Sequence, residues 1–525
     1  MDRQEQKSTQ LLAAMAIASI TPDTDVYLEG YEGKDAFSLC HCPEDFTSDL
    51  CARILLLDNG VDRLVFLNLE LVFSDSTEQY ACVSKNLLEK IAQVCHTDTD
   101  HILLSNTHTH HAPMQLGQVQ EDNVLKAVEQ AWARRVPAVI RMTMGQTHFG
   151  VSRSYDYTID KSRPYDDVVT VLNICEADTN KPLGIVFTVP IHNTLYGHGP
   201  DLRKNRHLLN CEFTGYACRA IEKQFGEQTP GFVVMHHNGF YGNAGPLYEE
   251  RYYAKSLEDL KNAGACLADE IMGISNLPGI QLSDGDICSL RRLVGLPVKE
   301  DDGFKEFFGD FDQAPLRIHT ATWGDVAYLG VNHEPFSVLG AYLRAYAPYR
   351  ALLLAGNVDG WRGYIPTSQT YIANTARAEA EVQDWKTPLA HNAADMFVAH
   401  CKEALLELAG VREKSTEADM CEIKEGNYTY VFPKAAVFDK LVISFGQELR
   451  TDCINNFTIC LYDETHIPVA EVAVKDFSSS YLGLWLEHKE IRYVRISMDL
   501  WQADAMRKIP EITGLRFEKN IQPAM

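Results

Sequence analysis

The 525-residue chain is long enough for about three domains at ~150 residues each, and its 46% apolar and 23% charged composition is globular, which excludes wholesale disorder, collagen-like repeats and coiled coil. A net charge of −24, from 48 basic and 72 acidic residues, leaves no basic excess to neutralise a phosphate backbone, so no nucleic-acid partner is expected. The longest apolar run, residues 11–20, is about half the ~20 residues a membrane-spanning helix needs, so no integral membrane segment is expected either.

Ahead of that run, MDRQEQKSTQ carries as many acidic as basic residues, and Thr21-Pro22-Asp23 follows it rather than a small-residue cleavage site. The run reads as the first element of the fold. The chain is read as cytoplasmic, with its 14 scattered cysteines reduced. Cys40-His41-Cys42 resembles half a zinc knuckle, but no second half follows. Residues 54–57 and 63–73 are strand-like, and Asn59-Gly60 between them signals a hairpin. Ser76 or Thr77 is expected to cap a helix reaching about residue 94. A short strand over 101–104 then leads into a histidine-rich turn.

Residues 122–136 have helical periodicity, while 141–151, 168–175 and 184–191 read as strands. Helices are expected over 214–223 and 257–274. Between them, a strand over 231–235 runs into a glycine-rich loop at 236–246. A strand over 320–329 precedes Asn332-His333-Glu334-Pro335, and a long helix is expected over about 375–408. Mixed strands and helices in this order imply a layered α/β fold around a mixed sheet. Residues 413–426 are charged and poor in large apolar groups, and read as a linker. Beyond it, short alternating runs such as YTYVF, LVISF and YVRISM predict a small β-sandwich. The expected organisation is a catalytic domain at 1–412, a linker at 413–426 and an all-β sandwich domain at 427–525.

Four features suggest a metal. Asn106-Thr107-His108-Thr109-His110-His111 packs three histidines into a strand end, where a rigid scaffold can present ligands. His192 in FTVPIHNT and Glu334 in YLGVNHEPF each follow an apolar strand, and Tyr364 stands in RGYIPT. HExxH, GxSxG, GxxxxGK[ST] and GxGxxG are all absent.

Taken together, the motifs resemble the neutral/alkaline, non-lysosomal ceramidase family. AIASITP with YLEGY (16–31) is similar to that family's first strand and turn. NTHTHHAP (106–113) is similar to its N-T-H-T-H-S-G/A-P motif. SRSYDY (152–157), YDDVVTVL (165–172), FTVPIHNT and GYIPTSQTY (363–371) follow in the family's order over about residues 12–375.

The resemblance implies a zinc amidase that cleaves an N-acyl bond. It places His108, His192, Glu334 and Tyr364 as zinc ligands, His110 as a second histidine beside the metal and Arg153 as the active-site arginine. The family's N-A/S-G-D-x-S-P segment has its nearest match in Asn243-Ala244-Gly245-Pro246-Leu247-Tyr248. Tyr248 occupies the serine position and Pro246 the acid position. A small soluble substrate other than ceramide is therefore expected. Water activated by Zn2+ would attack, His110 or His237 would carry the proton, and Arg153 would bind a carbonyl or anionic group. An esterase and a non-catalytic binding member remain alternatives, and a homo-oligomer is left open.

Overall fold

A computed structural model describes residues 10–29, 37–75, 81–152, 159, 165–196, 205–226, 229–282, 285–299, 313–368, 370, 389–424, 426–445, 456–475, 477, 479–487, 489–498 and 509–520. The first part of the chain forms four layers: helices, a nine-stranded mixed sheet, a four-stranded mixed sheet, and helices. From edge to edge the large sheet runs Val233–Asn238, Pro182–Val189, Val168–Glu176, Val136–Gln146, Leu12–Ser19, Cys51–Asp58, Arg63–Leu69 and Ile102–Asn106. The short strand Ile280–Gln281 also pairs with Val136–Gln146. The smaller sheet runs Ile287–Leu296, Ala314–Trp323, Val326–Val331 and Ala351–Ala355.

Side-chain alternation explains the layering. Ala13, Met15, Leu55, Leu57, Leu64 and Phe66 face the smaller sheet, where they share a core with Ala321, Trp323, Tyr328 and Leu353. Their neighbours Ala14, Ala16, Ile54, Leu56, Val65 and Leu67 point the other way. They pack on helices Lys85–Val94 and Gln118–Ala133. A strand buried on both faces reads as a near-continuous apolar run, and ILLL and LVFL in this sheet are of that kind.

Within these two sheets most pairings are antiparallel, but three are parallel: Arg63–Leu69 with Ile102–Asn106, Pro182–Val189 with Val233–Asn238, and Val326–Val331 with Ala351–Ala355. Each is a strand–helix–strand crossover, through helices Lys85–Val94, Glu212–Gly226 and Ser337–Tyr346 respectively. Open sheets of this kind present their loops at the carboxyl ends of parallel strands.

The last part of the chain is one curled, all-antiparallel sheet of eight strands with its own core, which includes Tyr430, Phe432, Phe438, Ile459 and Ile496. The expected α/β mixed-sheet unit followed by an all-β unit is therefore observed. The expected linker at 413–426 is not: Val411–Lys424 is a 14-residue strand. Its first half pairs with Glu511–Lys519 and its second with Asn427–Val437. Its side chains are mostly exposed, so the segment lacks the apolar pattern of a strand while its backbone joins both halves of the sheet.

Other boundaries moved. Residues 320–329 span the end of Ala314–Trp323 and the start of Val326–Val331, joined by a turn at Gly324-Asp325. Ser84 caps the first helix, accepting from the Leu87 amide, and the expected caps Ser76 and Thr77 lie outside the described residues. The helix expected over 375–408 is described as Ala393–Ala409. Among the described residues, no helix is long and apolar enough to cross a membrane.

Candidate metal centre

His108 lies two residues beyond Ile102–Asn106, His192 three beyond Pro182–Val189, and Glu334 three beyond Val326–Val331. Each is buried, and their donor atoms all lie within 4.8 Å of one another. Tyr364 follows Ala351–Ala355 and is aligned with Glu334 by a short parallel pairing, Glu334–Pro335 on Tyr364–Ile365. Its Oη is 3.4 Å from His192 Nε2. Three parallel crossovers thus converge on one point, and the four residues assigned to a metal by resemblance are brought together there.

The backbone fixes both imidazoles. His192 Nδ1 lies 2.9 Å from the Ala244 carbonyl and His108 Nδ1 lies 3.2 Å from the Val72 carbonyl. A carbonyl can only accept, so each Nδ1 carries a hydrogen and each Nε2 faces the cluster, where it can hold a proton toward Glu334 or give it up to ligate a cation, the orientation seen in metal-ligating histidines. His108 is held at φ 62, in the left-handed region a non-glycine residue adopts only when its surroundings require it.

Glu334 joins the set. Its Oε2 is 3.1 Å from His192 Nε2 and its Oε1 is 3.7 Å from His108 Nε2. Burial pushes its carboxyl up, but His108, His192 and the Trp361 indole outweigh burial and hold it well below the usual carboxylate range. Trp361 Nε1 donates to Oε1 at 2.7 Å and Asn357 Nδ2 donates at 3.3 Å. Two imidazole nitrogens, a carboxylate and a phenol form a nitrogen–oxygen donor set suited to zinc and accessible to other first-row metals.

The remaining expected residues divide. His110 is half-buried, with Nε2 3.2 Å from His108 Nε2, so it stands beside the cluster. Arg153 lies outside the described residues. His237, the alternative proton carrier, is not brought to the cluster. Its ring sits between the two sheets against Phe66 and Tyr328, 3.2 Å from Ser105 Oγ. Burial pushes its pKa down to about 3. Alternation along Val233–Asn238 turns this position toward the inter-sheet core.

Sequence reasoning missed Tyr241, Asn357, Trp361 and the Val72 and Ala244 carbonyls. Tyr241 packs its ring against both His108 and His192, at centroid distances of 5.3 and 4.7 Å. Asn357 is at φ 53, which asparagine tolerates, and its amide also reaches Tyr241 Oη at 2.6 Å. GNVDGW directly after an apolar strand was the available signal for Asn357 and Trp361. A backbone carbonyl carries no sequence signal at all.

No protein-family model and no curated protein sequence matches this chain. Solved structures do. Neutral ceramidase from Pseudomonas aeruginosa aligns with a TM-score of 0.58 and 14% identity, over 97% of this chain and 93% of that one. A ceramidase complexed with C2 aligns with a TM-score of 0.56 and 14% identity, over 96% and 93%. The resemblance read from colinear motifs is thus met in three dimensions: this chain has the neutral-ceramidase fold.

Proposed function

We propose that this protein is a zinc-dependent hydrolase that cleaves the N-acyl amide bond of a small soluble substrate other than ceramide. The observation that carries the reading is the convergence of His108, His192 and Glu334 within 4.8 Å, with both imidazoles oriented by backbone carbonyls. The ceramidase fold supports the amide bond as the target. The serine position held by Tyr248 supports attack by water and a different substrate. The formal charge of −24 disfavours anionic polymers and anionic membranes as targets.

His108, His192, Glu334 and Tyr364 would hold the cation. A cation there supplies Lewis acidity, lowering the pKa of water and polarising a carbonyl oxygen. His110 is within reach of the same point and accepts and returns the proton. Trp361 and Asn357 keep the Glu334 carboxylate ionised and in place. Tyr241 closes the inner side of the two imidazoles against water.

The test is metal content by plasma mass spectrometry on tag-free protein, beside the His108→Ala/His192→Ala double variant. About one zinc per chain, lost in the variant, is expected of a single four-donor site. The same samples are then assayed on N-acyl amines, N-acyl amino acids, N-acyl sugars and matched esters. Amide turnover supports the reading, and turnover of esters alone makes the protein an esterase. Metal without turnover makes it a binding protein, and no metal in either sample makes the histidines structural.

A further inference from the structure

Lys440, in the C-terminal sheet, is 2% exposed. A buried ammonium needs partners, and its Nζ donates to the carbonyls of Arg344 at 2.9 Å and Ala347 at 3.0 Å. These carbonyls close the C-terminus of helix Ser337–Tyr346, where a cation is favourably placed. Around it Ala345 shares a small core with Val442 and Leu515, and Tyr342 meets Tyr481 edge to face at 5.2 Å.

The other end of the same helix begins at Ser337, three residues after Glu334. Arg344 grips Asp166 through both oxygens, at 2.5 and 3.1 Å. The Asp166 amide donates to Ser337 Oγ at 2.9 Å, and the Ser337 amide donates to Asn243 Oδ1 at 2.7 Å. Asn243 precedes Ala244, whose carbonyl orients His192. An unbroken series of hydrogen bonds and one peptide link therefore joins Lys440 to a ligand histidine.

We propose that the C-terminal β unit braces the metal centre through Lys440, a positioning residue that fixes helix Ser337–Tyr346 and, through Ser337 and Asn243, the Ala244 carbonyl that holds His192. The proposal rests on the metal reading of His108, His192 and Glu334. Lys402 provides the control. It pairs with Glu413 at 3.1 Å across the same seam and lies over the Tyr346 ring of the same helix at 4.7 Å, but it makes none of the hydrogen bonds of the series.

The experiment uses metal-free full-length protein: wild type, Lys440→Met and Lys402→Met. Amide hydrogen exchange is followed at His192, bonded to the Ala244 carbonyl, and at Ser337. Lys440→Met is expected to speed both by about tenfold or more, with Lys402→Met unchanged, because local opening reports the loss of a local brace. Zinc titration of the same proteins is expected to show about tenfold weaker binding in Lys440→Met, the usual scale for groups that orient ligands. Unchanged exchange at both amides in Lys440→Met overturns the brace, and equal acceleration in Lys402→Met overturns it as well. If Lys440→Met does not fold, Asp166→Asn breaks the series from the other side and is read the same way. A wild-type chain that takes up no zinc overturns the metal reading alone, and the exchange result still decides the brace.

Discussion

At the scale of single residues, two histidines that look alike in sequence have opposite surroundings. His110 is half-buried beside the ligands, whereas His237 is sealed between aromatic rings in the inter-sheet core. His110→Ala is expected to lower turnover by about 10²–10⁴-fold, the range of general acid–base catalysis, with thermal stability unchanged. His237→Phe is expected to leave turnover intact, and a matching loss there in steady-state assays would reverse the assignment. Glu212 is a different case: it is buried and held at φ 58, and its carboxyl accepts the amides of Leu195, Tyr196 and Phe213. It thereby pins the loop that begins at His192. Burial raises its pKa to about 8 against the lowering effect of those donors. The folded state then holds a proton that the unfolded state releases above about 4.5, so this contribution is lost as pH rises from about 4.5 to about 8. At about 1.4 kcal/mol per unit, the term is on the order of a few kcal/mol. Urea midpoints at pH 5 and pH 8.5 should fall further in wild type than in Glu212→Gln, and parallel curves would remove Glu212 from the titration.

At the scale of elements, the sequence disclosed the strands whose carboxyl ends carry the clustered residues proposed as ligands, because residue type and position are both readable there. His108, His192 and Glu334 each follow an apolar run by two or three residues. The supporting contacts were hidden because they depend on long-range pairing. Val72 and Ala244 act through carbonyls, and Asn357 acts through a left-handed turn 249 residues from His108. The strand Val411–Lys424 was missed for a related reason, since neighbours on both sides rather than its own side chains hold it in the sheet. The loop carrying Tyr241 depends on close backbone approach, and Gly242 permits it. A Cβ at Gly242 would lie 2.3 Å from the Glu334 carbonyl oxygen, and the Gly242 amide donates to the Pro335 carbonyl at 2.9 Å. Neither backbone can give way without moving the ligand. Gly242→Ala is expected to cost about 1–3 kcal/mol in urea unfolding, the usual penalty for overpacking, and to weaken zinc binding together with stability. Normal zinc affinity in a destabilised Gly242→Ala protein would mean that Glu334 is positioned by its own strand alone.

At the scale of the whole molecule, the two sheets meet through an apolar core in which Phe66 packs against Trp323 at 5.5 Å and Tyr328 at 5.3 Å. That core ends where the proposed ligands begin, and the proposed ligands divide between the sheets. His108 and His192 extend from the nine-stranded sheet, and Glu334 and Tyr364 extend from the four-stranded one. A cation bound by all four would tie the sheets together at the end their apolar contacts do not cover, so metal binding and sheet docking should be linked. Free zinc at about 1,000 times its dissociation constant should add about 4 kcal/mol to stability, by mass action on the folded state alone. In chelator, Trp323 fluorescence and far-ultraviolet circular dichroism should shift to lower urea together if the sheets separate only on global unfolding. If fluorescence moves first, the sheets part before they melt, and the cation then holds an interface. The Glu334→Ala variant separates the two outcomes: without that ligand, added zinc should leave both midpoints where chelator puts them. A zinc-induced rise that survives Glu334→Ala would place the stabilising ion elsewhere on the chain.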